Sequence, residues 1–311
     1  MTEAYRSGII PAPVSPFDTD RAVDWKTFEA YIGEIAESGV GAIAINMAAA
    51  EVTSLEPEEQ YEAIRRAVRV APGVRIVSGL VATHTQGAIN HGQRLLDAGA
   101  QAVVIFPPLP TFSSKPISPD VIAAHHAAIA ERLGCPIIAF QTGNATYPHG
   151  TIAALSEIPN IVAIKDAAFN IELTAEMINE AAEGGNRLRV VTGNDTFILE
   201  SMLLGCPGAL IGYAGTATAQ LVEMQRLAAA RQITEAYEIW DRLGPLARTV
   251  WRAPLRDYRP RMKYVLMRQG VLPNMLTRMP QPGLSERDRA DIDALFDRFG
   301  YQQARYRPRG R

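Results

Sequence analysis

Cysteine is almost absent: Cys135 and Cys206 stand far apart in 311 residues, each directly before a proline. That excludes a disulfide framework and a thiolate metal site, and fits a reduced, cytoplasmic enzyme-like chain. Charge of one sign is lacking as well. With 31 basic against 33 acidic side chains the net charge is −2, which excludes a nucleic-acid binder working through bulk charge. The basic run Arg305–Arg311 is local and reads as a solvated tail. No apolar run reaches the roughly 18 residues of a membrane span. Met1–Ser7 carries no apolar segment, so neither a secretory signal nor membrane work is expected.

Other motifs fail on their context. Gly39-x-Gly41-x-x-Ala44 precedes a strand, whereas a dinucleotide fingerprint follows one and opens a helix. His125 and His126 are neighbours on different helix faces, and His84 and His91 lack a carboxylate at ligand spacing, so no metal and no cofactor are expected.

What is present is a periodic alternation. Eight short, largely continuous apolar runs occur at Gly8–Val14, Ala42–Asn46, Ile76–Leu80, Ala102–Phe106, Pro136–Phe140, Ile161–Lys165, Leu188–Gly193 and Gly208–Gly212. Continuous apolar runs are how strands covered on both faces look in parallel sheets. Between them lie amphipathic stretches at Asp24–Glu37, Pro57–Val70, Thr85–Ala98, Pro119–Leu133, Ile171–Glu183 and Thr196–Leu204. Eight such units before residue 215 predict a (β/α)8 barrel. Residues 219–311 show no strand signal. Gln220–Arg242 reads as the last barrel helix, and Pro245–Trp251, Tyr258–Gln269 and Ser285–Phe299 as a helical extension. The organisation is therefore 1–218, barrel strands and most helices, then 219–311, the last barrel helix with the extension.

In a parallel barrel, reactive groups gather where strands end. Lys165 closes a strand without another charge, whereas Lys26 and Lys115 lie in polar surroundings. An ammonium entering a barrel mouth loses hydration, its pKa falls, and the neutral amine can attack a ketone to form a Schiff base. The plainer alternative is a lysine paired with Asp166 or reaching water. Other strand ends carry Asn46 with Glu51, the neutral cluster Gln141, Thr142 and Asn144, the pair Asn194-Asp195, and Tyr213. Asp195 has a rival role as cap of the helix Thr196–Leu204.

Ile158-Pro159-Asn160-Ile161-Val162-Ala163-Ile164-Lys165-Asp166-Ala167 resembles the Schiff-base lysine strand of the dihydrodipicolinate synthase and N-acetylneuraminate lyase family. Further stretches match in order over residues 8–300: Ile10 to Phe17, Ala42 to Leu55, and Thr192-Gly193-Asn194-Asp195. The resemblance implies a class I lyase on a (β/α)8 barrel with a C-terminal helical extension, assembled as a homo-oligomer (dimer or tetramer). It also implies a proton relay that this chain lacks. The family's threonine pair falls on Ala48 and Ala49, its strand-five tyrosine on Phe140, and the tyrosine lent by a neighbour near Pro108 or Leu109. The arginine that grips a second carboxylate in the synthase falls on Ala145.

The expectation is a Schiff-base lyase with Lys165 as nucleophile, acting on a 2-oxo acid but not as dihydrodipicolinate synthase itself. Backbone N–H groups of Ala48, Ala49 and Ala50 are expected to take the substrate carboxylate, and Gln141, Asn194 and Asp195 its distal part. Tyr147 and Tyr213, with His149 close to the former, are the candidates for the missing proton donor. Two rival classes are a non-catalytic barrel that binds a 2-oxo acid or related metabolite, and a metal-assisted enzyme using Asp195, Glu51 and a histidine.

Overall fold

The structure, a computed structural model, describes residues 2–108, 117–253, 257–281 and 283–301. Leu109, Lys115 and Arg305–Arg311 lie outside the described residues.

Eight parallel strands build one sheet: β1 (Gly8–Pro11), β2 (Ala42–Ile45), β3 (Arg75–Leu80), β4 (Ala102–Ile105), β5 (Ile137–Thr142), β6 (Ile161–Ala167), β7 (Arg189–Thr192) and β8 (Gly208–Ile211). Their hydrogen-bonded order is β1-β8-β7-β6-β5-β4-β3-β2, and β1 and β2 lie side by side, so the sheet curls into a barrel. The alternating helices are α1 (Trp25–Ala36), α2 (Pro57–Val70), α3 (Thr85–Asp97), α4 (Pro119–Leu133), α5 (Thr151–Ser156), α6 (Ile171–Glu183), α7 (Ile198–Leu204) and α8 (Thr218–Ala229). The extension consists of α9 (Ile233–Val250), α10 (Tyr258–Arg268) and α11 (Glu286–Phe299). The fold is a (β/α)8 barrel with C-terminal helices, as expected from the alternating pattern.

Period-two alternation along each strand sorts side chains to two cores. Ile10, Ala44, Val77, Val104, Ile138, Ala163, Val191 and Leu210 fill the barrel interior. Ile9, Ile43, Ile76, Val103, Ile137, Ile164 and Val190 face the helices. Phe140 and Lys165, register partners across β5 and β6, both belong to the inward row.

Two expected elements are corrected, and one helix is added to them. The single helix over Gln220–Arg242 is two helices, because Arg231 adopts a left-handed conformation (φ 58°) and Gln232 N–H closes on Leu227 O. No glycine or proline marks that break. Pro245 does not start a separate helix but lies inside α9, which runs to Val250. The two-turn helix α5 was not expected, being too short to show a period.

The extension is tied to the loop after β2 by buried charge. Lys263 Nζ, on α10, meets Glu51 Oε1 at 2.6 Å and donates to Leu276 O at 2.7 Å, while Arg278 N–H donates to Glu51 Oε2. Arg259 Nε donates to Ala48 O at 2.6 Å. Glu51 holds a left-handed backbone (φ 58°), a conformation a non-glycine residue keeps only when its surroundings over-determine it. Sequence reasoning compared Lys165 only with Lys26 and Lys115 and missed Lys263, a second buried lysine. Burial lowers its amine pKa to about 8, with Glu51 opposing. Replacing Lys263 by Met leaves the Glu51 charge buried and unpaired. Unfolding in denaturant should lose about 3–5 kcal/mol, and the double change Lys263→Met with Glu51→Gln should recover most of it.

Candidate active site

β6 carries Lys165 into the barrel mouth. Its side chain lines a cavity of about 250 Å³ at the C-terminal ends of the strands, and the residue is 6% exposed. Nζ lies 4.4 Å from the Phe140 ring centroid. Among the described residues it has no ion-pair partner within 4.0 Å. The Asp166 alternative does not hold, because period two turns Asp166 away from the interior. Asp166 is bound on the helix side by Gln141 Nε2 (2.7 Å), Thr174 Oγ1 (2.6 Å), Asn194 Nδ2 (3.0 Å) and Ala168 N–H (3.1 Å).

Room for the Lys165 chain comes from Gly193. A Cβ at that position would stand 2.6 Å from Lys165 Cε and 2.9 Å from both Ala167 Cβ and the Asp166 carbonyl oxygen. Gly193→Ala therefore has to displace the amine or the β6–β7 contact. A displacement of about 1 Å costs roughly 10²-fold in rate. Single-turnover kinetics of adduct formation will read that loss, with a thermal melt to separate it from unfolding.

The Gly193-Asn194-Asp195 turn brings a carboxyl group into the same cavity. Asp195 is 4% exposed, and its Oδ1 accepts the Tyr213 N–H at 2.7 Å. It does not cap α7, which begins only at Ile198 without a side-chain cap. Burial pushes the Lys165 amine below its ordinary pKa, and the Asp195 charge opposes that shift. Burial pushes the Asp195 carboxyl above its ordinary value, opposed by the Tyr213 N–H and then by Lys165. The two groups titrate as one system.

Several expected site residues stand elsewhere. Gln141 does not line the cavity; its amide spans Asp166, Met177 and the Tyr147 N–H on the helix side. Asn194 likewise faces outward, accepting the Phe169 N–H at 2.7 Å while donating to Asp166. Its removal should act on stability. Asn194→Ala leaves a buried carboxylate short of a donor, a cost of about 1–3 kcal/mol in the unfolding free energy from denaturant melts, while the Lys165 adduct still forms. Lost adduct with unchanged stability would place Asn194 in substrate binding after all.

The two candidate donor hydroxyls are also turned away from the cavity. Tyr147 Oη donates to Phe140 O (3.1 Å) beside His126, and Tyr213 Oη donates to Leu243 O (3.0 Å). Both rings are buried, so each hydroxyl takes the nearest carbonyl. His149 is exposed and lies 3.5 Å from Glu180. Glu51 is engaged by Lys263 and Arg278 outside the cavity, and among the described residues no histidine lines it, so the set proposed for metal-assisted chemistry is not brought together.

Ala48 and Ala49 line the cavity, and Ala50 does not. They form a short 3₁₀ turn whose hydrogen bonds run from Ala50 N–H to Met47 O and from Glu51 N–H to Ala48 O. The turn thus uses neither the Ala48 nor the Ala49 N–H.

Two lining residues come from the extension and escaped sequence reasoning. Trp251, following α9, and Tyr258, opening α10, stack at 5.2 Å and 20°. Gly212 lets Trp251 close over the mouth: a Cβ there would meet the indole at 2.9 Å and Ala49 Cβ at 3.4 Å. The signal available was two aromatic residues flanking a helix break. It carried no information about which barrel end the extension covers.

Comparison with known proteins agrees with this arrangement. Residues 5–298 match the model of the dihydrodipicolinate synthetase family. The chain is 32% identical over 251 residues to the 4-hydroxy-tetrahydrodipicolinate synthase of Neisseria meningitidis serogroup B, covering 79% of this chain and 84% of that one. It is 28% identical over 289 residues to the enzyme of that name from Thioalkalivibrio sulfidiphilus, covering 92% and 95%. The crystal structure of the chloride-inhibited dihydrodipicolinate synthase from Acinetobacter baumannii complexed with pyruvate superposes with a TM-score of 0.86 at 27% identity, over 95% of this chain and 99% of that one. A barrel of this topology, matched along nearly its whole length, makes the chain a member of the dihydrodipicolinate synthetase family.

Proposed function

We propose that the protein is a lyase that joins Lys165 to a 2-oxo acid of the pyruvate type as a Schiff base. The reaction is aldol cleavage or condensation, or dehydration of a keto-deoxy acid. The observation that carries this reading is a buried amine, without an ion-pair partner within 4.0 Å among the described residues, facing a cavity that the Asp195 carboxyl also lines. The pyruvate bound to the Acinetobacter relative supports the substrate class.

The Lys165–Asp195 pair can supply both reactive forms. A free amine beside a protonated carboxyl holds as many protons as an ammonium beside a carboxylate. Moving one proton from Lys165 to Asp195 therefore creates nucleophile and acid together. Burial shifts both partners toward that uncharged tautomer. The amine attacks C2 of the oxo acid and gives a carbinolamine. Asp195 gives its proton to the carbinolamine hydroxyl, which leaves as water, and the carboxylate then faces the iminium. The iminium accepts the electron pair of the C3–C4 bond in cleavage, the Asp195 carboxylate taking the C4 hydroxyl proton as the aldehyde leaves, or the pair of a C3–H bond in enamine formation, the carboxylate taking that proton. Ala48 and Ala49 N–H groups receive the substrate carboxylate.

This reading assigns the donor to Asp195 in place of Tyr147 and Tyr213. Phe140 fills the place of the family tyrosine without proton capacity. Dihydrodipicolinate synthase activity itself is not part of the proposal, since the relay hydroxyls and the arginine are replaced at Ala48, Ala49, Phe140 and Ala145. The same replacements favour one second reading, a non-catalytic barrel that binds a 2-oxo acid. It predicts thermal stabilisation by ligand without turnover.

Borohydride reduction in the presence of pyruvate, followed by peptide mass mapping, tests the Schiff base, and turnover that Lys165→Ala abolishes separates the lyase from the non-catalytic barrel. The expected result is a reduced pyruvyl adduct on the Lys165 peptide. Lack of an adduct with any 2-oxo acid would falsify the lyase.

A further inference from the structure

Resting on the Schiff-base reading, we infer that the part of the substrate beyond its 2-oxo acid head is an apolar group, such as an aryl or branched-alkyl aldehyde skeleton. A polyhydroxylated chain and a second carboxylate are both disfavoured.

The lining of the cavity carries this. Met47, Phe140 and Trp251 are almost wholly buried, and Phe169 and Tyr258 complete the wall. Among the described residues, alanines and glycines stand between them, apart from Lys165, Asp195, Thr142 and Asn144. Thr142 is the half-buried last residue of β5, and the turn after it, Gly143 and Asn144, is exposed, so these two polar side chains stand toward the rim. The amides expected to bind hydroxyls, Gln141 and Asn194, are committed to Asp166 behind the strands.

A polyol entering this space would bury several hydroxyls against rings and methyl groups. Each unpaired hydroxyl is penalised, and Asp195 with the Tyr258 and Thr142 hydroxyls can meet only a few of them. A second carboxylate fares worse. Among the described residues Lys165 is the only cation lining the cavity, and it is consumed by imine formation. Arg259, the nearest extension cation in sequence to Tyr258, donates to Ala48 O and to Gln281 Oε1 and does not line the space. Ala145, at the arginine position, is buried away from it. Asp195 would repel a second carboxylate whenever it is ionised. A flat apolar group meets no such cost and gains contact with the stacked Trp251–Tyr258 pair and the Phe140 ring.

The test begins with the pyruvate adduct on Lys165 in the full chain. Condensation of pyruvate is then followed with benzaldehyde and 3-methylbutanal against glyceraldehyde and succinic semialdehyde, reading kcat/KM for each. The expected result is a preference of about tenfold or more for the two apolar aldehydes, the range a hydrophobic pocket delivers. Trp251→Ala should shrink that ratio. So should Phe169→Asn, which keeps the left-handed backbone at this position (φ 55°) tolerable. An adduct with equal or greater kcat/KM for the hydroxylated or acidic aldehyde overturns this inference and leaves the Schiff-base reading standing. An adduct with no turnover of any of the four overturns it as well. No adduct at all overturns both.

Discussion

Lys165→Ala abolishes adduct formation and lowers turnover by at least about 10⁴-fold, the scale on which loss of a covalent nucleophile acts. The fold should tolerate the change. Lys165 makes no ion pair within 4.0 Å among the described residues, and removing a desolvated amine relieves a buried polar group instead of creating one. Stability therefore stays level or rises while activity disappears, a combination that separates a nucleophile from a structural lysine. The contrast with Lys263 sharpens it. Lys263 is equally buried, but it is locked between Glu51 and Leu276 O, so its replacement costs stability first. Steady-state kinetics and denaturant melts of the two variants side by side should show opposite patterns.

Asp195→Asn has the second largest effect, and its signature is a change in pH dependence. General acid catalysis contributes about 10²–10⁴-fold, so turnover should fall by that factor while pyruvate still reaches Lys165. The wild-type rate of adduct formation should be bell-shaped in pH. It rises as the amine of the coupled pair becomes free and falls as the carboxyl loses its proton. In Asp195→Asn the falling limb disappears. Without that carboxyl the remaining rising limb follows the Lys165 amine alone, whose pKa burial holds below its ordinary value. An Asp195 that merely holds the Tyr213 N–H would alter stability and leave both limbs in place. Asparagine keeps an acceptor for that N–H, which makes the pH profile the deciding readout.

The fold was legible because a barrel repeats one short-range signal eight times. Continuous apolar runs marked every strand, and α2, α4 and α6 begin and end where the sequence places them. Lys165 stood out for the same reason: a lone charge ending an apolar strand must face the mouth or break the core. What failed was direction, not position. Gln141 and Asn194 were recognised as polar residues at strand ends, but a one-residue step along a strand turns a side chain from the cavity to the helix layer. Phe140 and Lys165 fall on the inner row; Gln141 and Asp166 fall on the outer one. Tyr147 and Tyr213 were sought as donors by nearness in sequence, and their hydroxyls found carbonyls elsewhere.

The extension carried the least readable information. Trp251 and Tyr258 reach the cavity only because α9 and α10 fold back over the barrel, and that docking depends on the buried Lys263–Glu51 pair and the Arg259–Ala48 contact. Those links join residues some 210 positions apart, a separation of 212 for the ion pair. No periodicity or local motif reports such a distance. The consequence is functional. The same elements that brace the Ala48-Ala49 turn also supply the aromatic wall, so the extension shapes the substrate cavity as well as stabilising the barrel.

The most direct measurement is a crystal structure of the protein soaked with pyruvate. The expected result is continuous density from Lys165 Nζ to C2 of the bound acid, with the Asp195 carboxyl within hydrogen-bond reach of the imine nitrogen and the pyruvate carboxylate at the Ala48 and Ala49 N–H groups. Pyruvate bound without a covalent link, or Lys165 turned out of the cavity into an ion pair, would contradict it.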